Sequence, residues 1–155
     1  MDLSNKSLHG GISSAITLLD GLVTLNLSCN CLHGQLPEGL GRLARLRMLD
    51  LSMNILSGMF RASEGGFPAI EMVNVSFNQF TGTHPAFPDA MNLTVLDISS
   101  NAFSGDINAT ALCIKPVRVL NFPGMGSLVR SPLASAGAGC LLIFLLTTVP
   151  HWEPP

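Results

Sequence analysis

The sequence has no tyrosine, one tryptophan, and only 12% charged residues with a formal net charge of -2. A chain so poor in cationic side chains has no basic stripe with which to neutralise phosphates, which excludes nucleic acid as the expected partner. No C-x-x-C pair occurs among Cys29, Cys31, Cys113 and Cys140, and none of them has a nearby pair of histidines, so no metal site and no cofactor is expected. Cys29 and Cys31 read as unpaired thiols flanking Asn30, and no disulfide is assigned. The opening residues from Met1 to Asn5 lack the basic segment and apolar stretch of an export signal. Hydrophobic residues make up 47% of the chain, yet up to Leu133 they recur in short spaced groups, the distribution of a core built from small units rather than of membrane spans.

What is present is self-similarity. Leu22 to Asn30 and Leu46 to Asn54 both read L-x-x-L-x-L-x-x-N, and the same frame returns at Ile70 to Asn78, at Leu93 to Asn101 and partly at Val117 to Phe122. The asparagines Asn30, Asn54, Asn78 and Asn101 follow one another at 24, 24 and 23 residues, a period that marks a leucine-rich-repeat coil. In each unit an alternating pair (Leu25 and Leu27, Leu49 and Leu51, Val73 and Val75, Leu96 and Ile98) points the same way along a short strand and into the core. Asparagine carries a donor and an acceptor, so at the turn after each strand it can satisfy backbone groups of neighbouring coils, which predicts a buried ladder of these four residues. A second constant element follows, Leu32 with Gly34, Leu56 with Gly58, Phe80 with Gly82 and Phe103 with Gly105, its apolar member extending the core. Spacing of three through Leu40, Leu43 and Leu46 suits a short helical return. The first coil is atypical, with Lys6 in the ladder slot, and His9 and His33 occupy matching surface slots of adjacent coils.

The expected fold is therefore an α/β-type repeat solenoid. It is a right-handed leucine-rich-repeat coil of about five to six turns, uncapped, with a parallel β-sheet on its concave face. Residues 1–122 form the array and 123–155 a non-repeat hydrophobic tail. Outward positions on the concave strands include Asn26, Ser28, Arg47, Asp50, Ser52, Glu71, Asn74, Ser76, Thr94, Asp97 and Ser99, a polar and mildly acidic surface. Arg47, Asp50, Glu71, Asn74 and Asp97 are the candidate binding residues. N-x-[ST] sequons stand at Asn5, Asn26, Asn74, Asn92 and Asn108; glycans at Asn26 or Asn74 would block the concave face, whereas Asn92 and Asn108 lie in returns.

The N-x-L-x-G-x-(I/L)-P form resembles the plant-type repeats of receptor-like kinase ectodomains. The run from Phe67 to Asn78, then His84-Pro85-Ala86-Phe87-Pro88 and Ala111-Leu112-Cys113, is similar to the first repeats of phytosulfokine receptors. Over residues 1–122 the resemblance implies a cell-surface receptor for a small secreted peptide, with a membrane helix and a cytoplasmic serine/threonine kinase further along the parent chain. No Gly-rich loop, V-A-I-K, H-R-D or D-F-G element occurs in these residues, so no kinase activity is expected. The hormone of that family is gripped by later repeats and an inserted island, and no hormone-contact residue carries over. The expected function is non-catalytic binding of a protein or peptide, with a co-receptor as a further partner; a short stand-alone repeat protein acting as co-receptor partner or decoy is the alternative.

After Phe122 the repeat stops. Restoring one base after its codon permits the run S-G-N-G-L-S-G-x-I-P, which places an asparagine at position 125, 24 residues after Asn101, so the tail reads as the product of a one-base frameshift. The rival reading makes residues 133–149, uncharged and flanked by Arg130 and Trp152, a membrane anchor.

Overall fold

The computed structural model describes residues 1–61, 66–104 and 119–121. Asn108, Cys113, Cys140 and residues 123–155, including the candidate span 133–149, lie outside the described residues. Among those described, no helix is long and apolar enough to cross a membrane.

The chain is a coil of parallel strands arranged in two sheets. In chain order the strands are β1 His9–Gly10, β2 Thr24–Asn26, β3 Cys31–Gly34, β4 Met48–Asp50, β5 Ile55–Met59, β6 Met72–Asn74, β7 Gln79–Thr83, β8 Val95–Asp97, β9 Ala102–Ser104 and β10 Val119–Asn121. The first sheet runs β10-β8-β6-β4-β2 and the second β1-β3-β5-β7-β9, so each coil contributes one strand to each. The first is the concave sheet expected from the L-x-x-L-x-L frame, and its registers pair equivalent positions of successive coils, as in Leu25 with Leu49 and Leu49 with Val73. Leu25, Leu49, Leu51, Val73, Val75 and Ile98 are fully buried, as alternate positions on a half-covered sheet must be.

The second sheet is an element that the repeat frame and the short helical return do not call for. Its origin is the asparagine. Asn54 Oδ1 accepts from the backbone N–H of Leu32 at 3.0 Å, Asn78 from Leu56 at 3.0 Å and Asn101 from Phe80 at 3.0 Å, so each ladder residue captures the second residue after the previous one and launches it as a strand. Leu32, Leu56, Phe80 and Phe103 then turn inward between exposed or half-buried neighbours. At the corner joining the two sheets the residue before the ladder asparagine takes the left-handed conformation without being glycine: Cys29, Met53, Phe77 and Ser100 have φ between 50 and 55°. That conformation costs roughly 1–2 kcal/mol per L-residue. It is held by inter-coil bonds such as Met53 N–H to the Ser76 carbonyl at 3.0 Å and Asn54 N–H to the Phe77 carbonyl at 3.2 Å.

The helical parts among the described residues are short 3₁₀ turns, Ser14–Leu18 and Leu40–Arg42. Under the later coils the core is aromatic. Phe60 meets Phe80 edge-on at 5.7 Å and lies near Phe67 and Phe87, while Phe80 stacks on Phe103 at 6.2 Å.

Candidate functional site on the concave sheet

Strand pairing brings equivalent outward residues into columns, one side chain per coil at about 4.8 Å intervals. One column is Asn26, Asp50, Asn74 and Asp97. Two residues upstream runs another, Thr24, Met48, Met72 and Val95. Met48 is 39% exposed and Met72 and Val95 are half-buried, so a largely apolar stripe lies beside a polar one.

The polar column is held by its own serines. Asn26, Asp50, Asn74 and Asp97 each accept through Oδ1 from the hydroxyl two residues on, at 2.8, 2.7, 2.8 and 2.7 Å, and from the same residue's N–H at 3.0 to 3.1 Å. A short carboxylate or carboxamide can bend round to bond its own backbone two residues on, which ends the strand. Ser28, Ser52 and Ser76 are buried, at 9%, 8% and 4% exposure, because the bond to Oδ1 draws each hydroxyl out of solvent.

Arg47 donates through Nε to Glu71 Oε1 at 2.9 Å across one coil, a pair whose side chains are 60% and 41% exposed. Exposed pairs of this kind contribute about 0–1 kcal/mol. Its effect is to tie the two charges to each other at the rim of the face. Thr94 Oγ1 donates to the Glu71 carbonyl at 3.0 Å.

Of the residues singled out in the sequence, Asp50, Asn74 and Asp97 share this face, Asn26 stands at its N-terminal end, and the Arg47–Glu71 pair lies at its rim. Asn5 and Asn92 are exposed and lie outside these strands. The ladder asparagines lie beneath the corner instead: Asn54 is 7% exposed, and Asn30, Asn78 and Asn101 are half-buried. Cys29 and Cys31 are exposed free thiols, with Cys29 Sγ 3.5 Å from Met53 Sδ. Among the described residues no three His, Cys, Asp or Glu side chains are grouped so as to hold a metal ion. The apolar column is not visible from Met48 or Met72 taken singly; aligning the four units on their asparagines is the signal that finds it.

The Leucine Rich Repeat family profile matches residues 21–43 and 92–111. The fold is a leucine-rich-repeat solenoid. Among solved structures, the ectodomain of the receptor kinase SOBIR1 from Arabidopsis thaliana is 28% identical with a TM-score of 0.71, over 79% of this chain and 66% of that one. The Arabidopsis receptor kinase HAESA, solved with the peptide hormone IDA and the co-receptor SERK1, is 27% identical with a TM-score of 0.72, over 77% of this chain and 20% of that one. The plant peptide hormone receptor RGFR1, solved with RGF2, is 31% identical with a TM-score of 0.70, over 94% of this chain and 25% of that one. No curated protein matches. The structural neighbours of this repeat array are thus plant receptor-kinase ectodomains, and the array spans just under two thirds of the SOBIR1 ectodomain and a quarter or less of the two longer receptors.

Proposed function

We propose that this chain is a non-catalytic protein- or peptide-binding array of a plant cell-surface receptor, acting on the extracellular side of the membrane. The observation that supports it is the concave face. An extended chain laid across the strands meets one side chain from the largely apolar Thr24, Met48, Met72, Val95 column and one polar side chain from the Asn26, Asp50, Asn74, Asp97 column at every coil. Apolar contact supplies affinity and the fixed dipoles supply orientation. Arg47 and Glu71 flank this track. HAESA and RGFR1, two of the structural neighbours, were solved with peptide hormones. The motifs around Phe67 and His84 favour a phytosulfokine-receptor type, in which these coils precede the hormone-binding island, and the kinase belongs to the parent chain.

A second reading is favoured by one comparison: the array covers 66% of the SOBIR1 ectodomain, so it approaches the size of a short ectodomain and could serve as a co-receptor partner or decoy. The test is titration of the full chain, separately, with a library of extended synthetic peptides and with the SERK1 ectodomain, using M48D/M72D as the control. Saturable binding to either that is lost in the double variant supports the concave face. Binding to SERK1 alone favours the second reading. No binding to either by the wild-type chain counts against the receptor assignment.

A further inference from the structure

The two kinds of asparagine in this coil use their amides differently. Ladder residues spend the whole group: Asn54 Nδ2 donates to the Leu27, Leu51 and Ser52 carbonyls at 3.0 to 3.2 Å, while its Oδ1 accepts from Leu32. Asn74, in the concave column, is used by halves. Its Oδ1 accepts from the Ser76 N–H at 3.1 Å and the Ser76 hydroxyl at 2.8 Å, while its Nδ2 has no hydrogen-bond partner among the described residues. Asp50 and Asp97, in register on either side, perform the same structural task with a carboxylate, which shows that only one side-chain atom is needed for it. Asn74-Val75-Ser76 is also a sequon.

We propose that Asn74 is an N-glycan attachment site whose occupancy determines whether the apolar stripe of Met48, Met72 and Val95 is open. The inference rests on the extracellular reading above. In the transfer, the bond from Nδ2 to the sugar C1 forms as the C1–O bond to the pyrophosphate of a lipid-linked oligosaccharide breaks. The pyrophosphate leaves with the bonding pair, and Nδ2 gives up one of its two protons. The product keeps Oδ1, so both bonds to Ser76 survive and the finished coil accommodates the glycan. Asn26 shares the turn geometry but stands at the N-terminal edge of the sheet, where the Met1–Asp2 segment pairs with it. Asn74 has a strand on both sides and is the one placed over the middle of the face. Standing between Asp50 and Asp97 and two residues from Met72 on the same strand, a glycan there is bulky enough to cover the middle of the face.

The full chain, supplied with a secretory leader and expressed in plant cells, would be deglycosylated enzymatically in heavy-oxygen water, which tags each formerly occupied asparagine for peptide mass spectrometry. The Asn74 peptide is expected to carry the tag. N74D, which preserves the acceptor oxygen as at Asp50, is expected to lose that glycan and keep the wild-type unfolding midpoint. Oxidation of Met72 by hydrogen peroxide should be several-fold faster in N74D than in the glycosylated chain. A secreted chain tagged at Asn92 but not at Asn74, or one in which Met72 oxidises equally fast with and without the glycan, would overturn the proposal. Neither readout uses a ligand, so failure of the receptor reading leaves this result interpretable by itself.

Discussion

Asn54 donates from Nδ2 to the carbonyl oxygen of Leu27, 27 residues earlier, at 3.0 Å, and so fastens one coil to the one before it. The same amide holds the carbonyls of Leu51 and Ser52 in its own coil. Removing it leaves the Leu32 N–H without its acceptor in a buried corner, while Leu27 O keeps only Asn30 Nδ2, at 2.9 Å. Asn54→Ala should therefore destabilise by about 1–3 kcal/mol, the usual cost of orphaned buried polar groups. Asp50→Ala, which loses a turn bond on a half-exposed face, should cost less. Chemical denaturation of the two variants checks the order, and equal losses would argue against the ladder as a structural element.

Gly58 offers a second measurement. Its φ is +80°, and a Cβ there would stand 2.7 Å from Gln35 Cγ. Gly34 has a φ of +81° with nothing within 4 Å of its would-be Cβ. Both Gly→Ala changes carry the left-handed penalty of about 1–2 kcal/mol. Gly58→Ala must also displace the Gln35 side chain, so it should be the more destabilising, and a Gln35→Ala background should narrow the gap. If the gap persists in that background, the close approach is not its cause.

Acid sensitivity should reside in His84. Its ring lies 6.1 Å from that of Phe103, and burial pushes its pKa below the ordinary 6.5. The unfolded chain therefore takes up a proton before the native one does. Stability is held above the ordinary value and declines as the pH falls through it toward the lowered native value. His84→Phe, which retains a ring against Phe103, should flatten the pH dependence of the unfolding midpoint between about pH 7.5 and 5. A variant with the wild-type slope would place the acid sensitivity elsewhere.

Much of this architecture could be read from residues alone. The recurrence of Asn30, Asn54, Asn78 and Asn101 specifies the coil, because a fixed period with one apolar pair per unit has few ways to bury itself other than by stacking. Leu25, Leu49 and Val73 face the core because a strand has a period of two, a property of the backbone that needs no tertiary information. The column of Asn26, Asp50, Asn74 and Asp97 follows from the same alignment.

Three features were decided only in the folded coil, each by a contact between residues in different units or by a rotation about the chain that spacing does not encode. The second sheet exists because Asn54, Asn78 and Asn101 reach back to the N–H groups of Leu32, Leu56 and Phe80, and a bond across 21 or 22 residues has no local signature. Ser28, Ser52 and Ser76 lose their exposure because the Asn or Asp two residues earlier bends back on them, which simple alternation does not encode. The unequal use of two chemically identical amides, complete at Asn54 and partial at Asn74, was likewise set by position: one lies beneath the corner among backbone carbonyls, the other on the open sheet where a single oxygen meets the need.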